Sequence, residues 1–262
     1  MQRRRFLLLV AAGLVGTAVS GDTVGPVTPE RHAPPRARPV TAAPAPPAVE
    51  PPAGVVDRLP GTGTRLALTI DDGTSSEVVA AFCTLAVATG IRLTFVPNGC
   101  YRSWEKNGQL LQQLIDAGQV AMGNHTWSHP DLTTLSDDQV AEEIGRNRDW
   151  LRSTFGVRDT PFFRPPFGAH DQRTDRIAAE QGHPTIAMWR GTLTDHRVLG
   201  GDELLAAARR WFTAQTIVVG HANQFPVVTV FDRLLALIAE RRLQTVTLAD
   251  VWPRPGLDGP PP

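Results

Sequence analysis

Residues 65–97 read RLALTIDDGTSSEVVAAFCTLAVATGIRLTFVP, and this stretch decides the fold. Arg65 to Ile70 is a short apolar run closed by the turn signal Asp71-Asp72-Gly73, the pattern of a buried strand. Ser76 to Thr89 has the length of a helix and stops at Gly90, the residue type that leaves a helix in the left-handed conformation. Ile91 to Val96 is a second apolar run. A strand, a helix and a strand in this order form a βαβ unit, whose two strands run parallel.

The alternation continues toward the C-terminus. Strand-like runs appear at Gln119 to Met122, Phe162-Phe163, Thr185 to Trp189, Thr216 to Val219 and Gln244 to Thr247. Helical patterns fill the gaps: Gly108 to Ala117, a long one opened by Ser136 with Gln139 as a capping box, Asp171 to Gln181, Asp202 to Thr213, and Val227 to Arg242. Seven or so such units in a short span predict an α/β fold, a compact barrel of about seven parallel strands forming a single catalytic domain. An open doubly wound sheet is the alternative. No Gly-rich phosphate loop follows the first strand, which weighs against it.

Outside this domain the character of the chain changes. Arg3-Arg4-Arg5 precedes the apolar run Phe6 to Val15, with small residues at Ala18 to Gly21, which predicts a signal peptide over 1–21. The arginines also fit a twin-arginine pattern. The expected outcome is export, to the cell wall, periplasm or exterior, with an uncleaved signal anchor as the alternative; no later stretch is apolar enough to span a bilayer. Residues 22–60 are rich in Pro and Ala and have no apolar period, so they are expected to be a disordered, semi-rigid linker. The folded domain is placed at 61–253 and a flexible tail at 254–262.

The chain of 262 residues is 42% hydrophobic and 20% charged, ordinary for a soluble enzyme. Its 26 basic residues equal its 26 acidic ones, and a balance without basic excess predicts no nucleic-acid partner. A monomer is expected. In an exported chain a disulfide between Cys83 and Cys100 would tie the first two units together; two buried thiols are the alternative.

Three polar islands sit beside the strands: Asp71-Asp72-Gly73, His125-Thr126-Trp127-Ser128-His129, and Arg164-Pro165-Pro166-Phe167-Gly168. Asp-Asp-Gly alone is most simply a turn. Beside two imidazoles four residues apart it gains a second meaning, because one carboxylate can bind a metal while its neighbour takes a proton. Two imidazoles and a carboxylate are a common ligand set for a catalytic zinc with open positions.

Leu68 to Gly73, His125 to His129 and Arg164 to Gly168, in this order, resemble the first three signature motifs of the polysaccharide deacetylase family, the NodB-homology domain of carbohydrate esterase family 4. Met188 to His196 and Ile217 to His221 are similar, more loosely, to the remaining two. The resemblance covers about Arg65 to Val251 and implies a distorted (β/α) barrel. It implies that Asp72, His125 and His129 hold one divalent ion, zinc first, with cobalt, nickel or manganese as substitutes. Asp71 would be the general base toward water on that ion, and Arg164 would hold Asp71 ionised and oriented. The backbone N–H of Phe167 would meet the oxyanion, and His221 would protonate the departing amine. Trp189 would lie near the acetyl methyl or a sugar face.

The sequence departs from the family pattern in places. Phe167 stands where a Tyr is usual, and Thr192 stands near the position of an acidic residue in the fourth motif. Asp195-His196 replaces an Asp-Trp pair, and Asp195 is the residue expected to tune His221. The function expected is removal of N-acetyl groups from an N-acetylated polysaccharide or oligosaccharide, peptidoglycan first and chitin-like chains next. The competing readings are a glycan-binding inactive relative and an O-acetyl esterase.

Overall fold

The computed structural model describes residues 50–252. The expected signal peptide 1–21, most of the expected linker and the tail 254–262 lie outside the described residues.

Nine strands occur among the described residues: β1 (Gly54–Val56), β2 (Arg65–Asp72), β3 (Leu93–Pro97), β4 (Val120–Met122), β5 (Phe162–Phe163), β6 (Thr185–Ala187), β7 (Gly191–Thr192), β8 (Thr216–His221) and β9 (Gln244–Thr245). The α-helices between and after them are α1 (Ser76–Thr89), α2 (Ser103–Lys106), α3 (Gly108–Asp116), α4 (Asp137–Phe155), α5 (Gln172–Glu180), α6 (Gly201–Trp211), α7 (Phe231–Glu240) and α8 (Leu248–Val251). The strand pairs are parallel throughout. One sheet runs β4-β3-β2-β8-β7 with β9 also on β2, and a second runs β1-β6-β5. A parallel bridge from Asn124 to Phe163 joins the first sheet to the second, and an antiparallel bridge from Arg58 to Thr216 links them on the other side. The fold is a distorted α/β barrel in a single domain, as expected.

β2 lies at the centre because it can be buried on both faces. Its side chains alternate: Leu66, Leu68 and Ile70 pack outward with Val78, Val79, Phe82 and Ala86 of α1, while Ala67 packs inward with Phe162, Ala187 and Ile217. The same parity puts Thr69 and Asp71 on the inward row. α1 is held at its start by Ser75, whose hydroxyl accepts from the Val78 N–H, and at its end by Gly90 at φ 73°, whose N–H donates to the Ala86 carbonyl.

Three expectations need correction. The ordered fold begins before Gly61: Val55 pairs with Ile186 in β1–β6, Val56 packs on the inner core and Leu59 is buried in it. Proline density hid this strand, yet a sheet edge supplies the hydrogen bonds that Val55 and Val56 need without any local periodicity. The helix expected over Val227 to Arg242 starts as a 3-10 turn, Phe225–Val230, and becomes α-helical only in α7. Cys83 and Cys100 are both free thiols, with no disulfide between them. Cys83 faces the core about 10 Å along α1 from its start, so it lies well below the strand ends where Cys100 emerges after β3. Among the described residues no helix is long and apolar enough to cross a membrane.

Candidate active site

Strand parity brings the inward side chains to one end of the barrel. Asp71 of β2 is the register partner of His221 of β8. Arg164 follows β5 in the same phase as inward Phe162, and Trp189 follows β6 in the same phase as inward Ala187. The polar islands of the sequence thus meet above a single apolar barrel core. They line a cleft of about 500 Å³ together with Pro165, Phe167, Thr192, His196 and Asn223. A larger cavity, about 670 Å³ and lined by Val55, Arg58, Pro60, Arg190 and Trp252 among others, gathers no comparable set of ligand atoms.

Asp72, His125 and His129 each present one ligand atom, all within 4.8 Å of one another, the grouping of this kind among the described residues. Asp72 Oδ1 lies 3.1 Å from His125 Nε2 and 3.4 Å from His129 Nε2. It is buried and accepts no hydrogen bond, an expensive state for a carboxylate oxygen unless a cation shares the site. His125 Nδ1 lies 2.6 Å from the Arg164 carbonyl, which can only accept, so Nδ1 donates there and Nε2 is the atom turned toward Asp72. Burial, and then the charge of His125, push the His129 imidazole below its ordinary value, toward the neutral form a ligand needs. Burial alone would raise the Asp72 carboxyl; the positive charge of the imidazoles around it, His125 first and then His221 and His129, overrules that and holds the group well below the usual carboxylate range. The donor set fits a divalent metal of the zinc type.

The backbone is bent to make this possible. Asp72, Thr126, His129, Phe167 and Thr194 all have φ between 59° and 67° although none is glycine. Each such residue costs about 1–3 kcal/mol, and strain of this kind persists where surrounding contacts over-determine it. Those contacts are present. The Trp104 indole N–H donates to the Asp72 carbonyl at 2.8 Å, and Ser103 donates its hydroxyl to the Gly73 carbonyl. Asn98 donates to the His125 carbonyl, and Glu143 accepts from both the N–H and the hydroxyl of Ser128.

Arg164 is fully buried, and its Nη1 donates to both oxygens of Asp71, at 2.8 and 3.0 Å, and to the Thr69 hydroxyl at 3.0 Å. Its Nε donates to the Ala187 carbonyl, and its guanidinium lies 5.3 Å from the Trp189 ring. Trp189 therefore lies against the Arg164 guanidinium while also lining the cleft. Phe167, 70% exposed, stands edge-on to His129 with ring centroids 4.5 Å apart.

His221 is gripped twice by the buried Asp195. Asp195 Oδ2 accepts from the His221 backbone N–H at 2.9 Å, and Oδ1 lies 2.8 Å from His221 Nδ1. Nε2 is left for the cleft. Burial would lower the imidazole, but the Asp195 bond and charge, with Asp71 and Asp72 behind them, push it up to about 9. The residues expected from sequence, Asp71, Asp72, His125, His129, Arg164, Phe167, Trp189, Asp195 and His221, come together here; one not expected is Asn223, which donates to Asp72 Oδ2 at 2.6 Å. Its one local signal was a polar residue two positions after His221, just past the end of a buried strand.

A family model for polysaccharide deacetylases matches residues 59–186. The chain is 26% identical over 191 residues, 73% of its length, to the peptidoglycan-N-acetylglucosamine deacetylase PgdA of Listeria monocytogenes, of which it covers 39%. It spans less than half the length of this relative and of an uncharacterized 30.6 kDa protein of Geobacillus stearothermophilus. Among solved structures, the Bc1960 peptidoglycan N-acetylglucosamine deacetylase is similar with a TM-score of 0.68 at 22% identity, over 76% of this chain and 92% of that one. BA3943 of Bacillus anthracis, a pseudoenzyme of carbohydrate esterase family 4, has a TM-score of 0.67 at 20% identity, over 78% and 70%. The likeness of these structures is one of fold, and the fold alone does not decide turnover.

Proposed function

Residues 59–186 belong to the polysaccharide deacetylase family, and from that premise we propose that the chain is an exported, metal-dependent hydrolase that removes N-acetyl groups from a glycan, with peptidoglycan the leading substrate and chitin-like oligosaccharides next. One observation carries the reading: an Asp71 held by Arg164 and a His221 held by Asp195 flank the cleft into which Asp72, His125 and His129 converge. The peptidoglycan preference rests on the Listeria relative, and export rests on the Arg3 to Gly21 pattern of the sequence.

Held by Asp72, His125 and His129, a divalent cation, zinc by preference, would act as a Lewis acid on the acetamide carbonyl and make a water acidic enough to lose its proton near neutral pH. Asp71 takes that proton as the water oxygen bonds to the carbonyl carbon. Arg164 keeps the Asp71 carboxylate turned into the cleft. The Phe167 N–H, set by its left-handed backbone, donates to the oxyanion. His221 delivers a proton from Nε2 to the nitrogen as the C–N bond breaks, releasing acetate and a free amine. An amide needs that acid, because an unprotonated amine is a very poor leaving group.

A glycan-binding relative without turnover would have no use for an imidazole raised by a dedicated carboxylate. The test is acetate release from N-acetylated peptidoglycan and chitin oligosaccharides, with and without chelator, by the parent and by Asp71→Asn. Metal-dependent release by the parent and almost none by the variant is expected. Retained activity in the variant removes Asp71 from its role, and no release from any glycan favours the binding module.

A further inference from the structure

We propose that Asn223 is a positioning residue of the metal site, fixing Asp72 as a ligand through one oxygen only. The inference rests on the metal-dependent reading above. Asp72 has two carboxylate oxygens with different fates. Oδ1 faces His125 and His129 and accepts no hydrogen bond, while Oδ2 accepts from Asn223 Nδ2 at 2.6 Å.

The orientation of the Asn223 amide is fixed by its other end. Oδ1 of Asn223 accepts from the Gly73 N–H at 3.3 Å, the Thr74 N–H at 3.0 Å and the Thr74 hydroxyl at 3.0 Å. Backbone N–H groups can only donate, so the carbonyl must face them and the amino group must face Asp72. Asn223 is itself anchored: Ala222 donates to the Asp71 carbonyl at 3.0 Å and accepts from the Ser75 N–H at 3.1 Å. The side chain is thus a strut from the end of β8 to the turn that carries Asp72, two residues beyond His221.

That turn needs a strut. Asp72 sits at φ 65°, a strained setting for a non-glycine residue, and a free carboxylate there could rotate or offer both oxygens to an ion. Occupying Oδ2 leaves Oδ1 as the single ligating atom. The positions around the ion are then free for water and the acetamide oxygen instead of a second carboxylate oxygen.

The experiment titrates metal-free full-length protein with Zn2+ against a chromophoric chelator and records the visible spectrum of the Co2+-loaded protein. Asn223→Ala and Asn223→Leu are compared with the parent, the second because it keeps the side-chain volume. Both variants should bind Zn2+ roughly 10- to 100-fold more weakly, the range for loss of an outer hydrogen-bond partner. Their Co2+ spectra should shift in common, while the circular dichroism of the metal-free variants shows the parent's fold. Parent-like affinity and spectrum in both variants overturn the positioning role and leave the deacetylase reading standing. A loss of affinity confined to Asn223→Ala also overturns it, since lost volume would then be the cause. Failure of the parent to bind Zn2+ removes the metal-dependent reading, and the strut with it.

Discussion

Asp71 and His221 are register partners on adjacent parallel strands, so the hydrogen-bond ladder between β2 and β8 sets their side chains next to each other on the inward face. The distance between the proposed base and the proposed acid is therefore a property of the sheet, while each side chain is aimed by a different partner, Arg164 for one and Asp195 for the other. Asp71→Asn and His221→Ala should each lower acetate release by about 10²–10⁴-fold while retaining Zn2+ affinity. Chelator competition alongside kcat measurement checks this; a joint loss of metal would mean that the two residues belong to the ligand set.

The raised imidazole gives the pH profile a direction. His221 must carry its proton to act as an acid, and its value of about 9 predicts that kcat falls as pH rises through that region. Asp195→Asn removes the carboxylate whose hydrogen bond and charge hold the imidazole up, and should move this alkaline limb down toward the ordinary imidazole range. The stability linkage has the same sign: a group raised on folding stabilises fully below its unfolded value, and the contribution is lost as pH climbs through about 9. An unmoved limb in Asp195→Asn would assign it to another group.

Arg164 and Asp71 form an ion pair with almost no solvent contact. Arg164→Met leaves a buried carboxylate without its guanidinium, a change that costs about 3–5 kcal/mol in such pairs. Arg164→Lys should recover little, because a single ammonium cannot reach Asp71, Thr69 and the Ala187 carbonyl together. Denaturant unfolding of the metal-free proteins reads the loss directly, and an unchanged midpoint for Arg164→Met would contradict the pair's structural weight.

Gly73 has no room for a side chain. A Cβ there would come within 2.2 Å of the Trp104 indole nitrogen, at a backbone φ of +98°. Gly73→Ala should displace Trp104 from the Asp72 carbonyl, lowering both thermal stability and Zn2+ affinity. Gly90→Ala, where a Cβ meets nothing within 4 Å, is the control and should cost stability alone.

Much of this site was legible along the chain because β/α units place chemistry at strand ends, and a strand end announces itself locally. The apolar run Leu66 to Ile70 stops at Asp71-Asp72-Gly73, and Thr216 to Val219 leads into His221. The helix over Ser76 to Thr89 was legible through its stop at Gly90, which acts within one turn, while its N-cap Ser75 emerges only in the structure. Short elements were not legible: α2 has four residues and no periodicity, yet its Ser103 and Trp104 hold the carbonyls of Gly73 and Asp72.

The sequence by itself determined which residue types could do the chemistry and that they would sit at the ends of parallel strands, because apolar period, caps and turn signals act over a few residues. The tertiary structure decided which of them meet. Asp195 reaches His221 across 26 positions, Arg164 reaches Asp71 across 93, and Asn223 reaches Asp72 across 151. Cys83 and Cys100, much closer in sequence, stay apart. Pairings at such separation follow from strand register and from which face of each strand the core claims. Both are set by backbone hydrogen bonds and buried area between segments that share no local pattern.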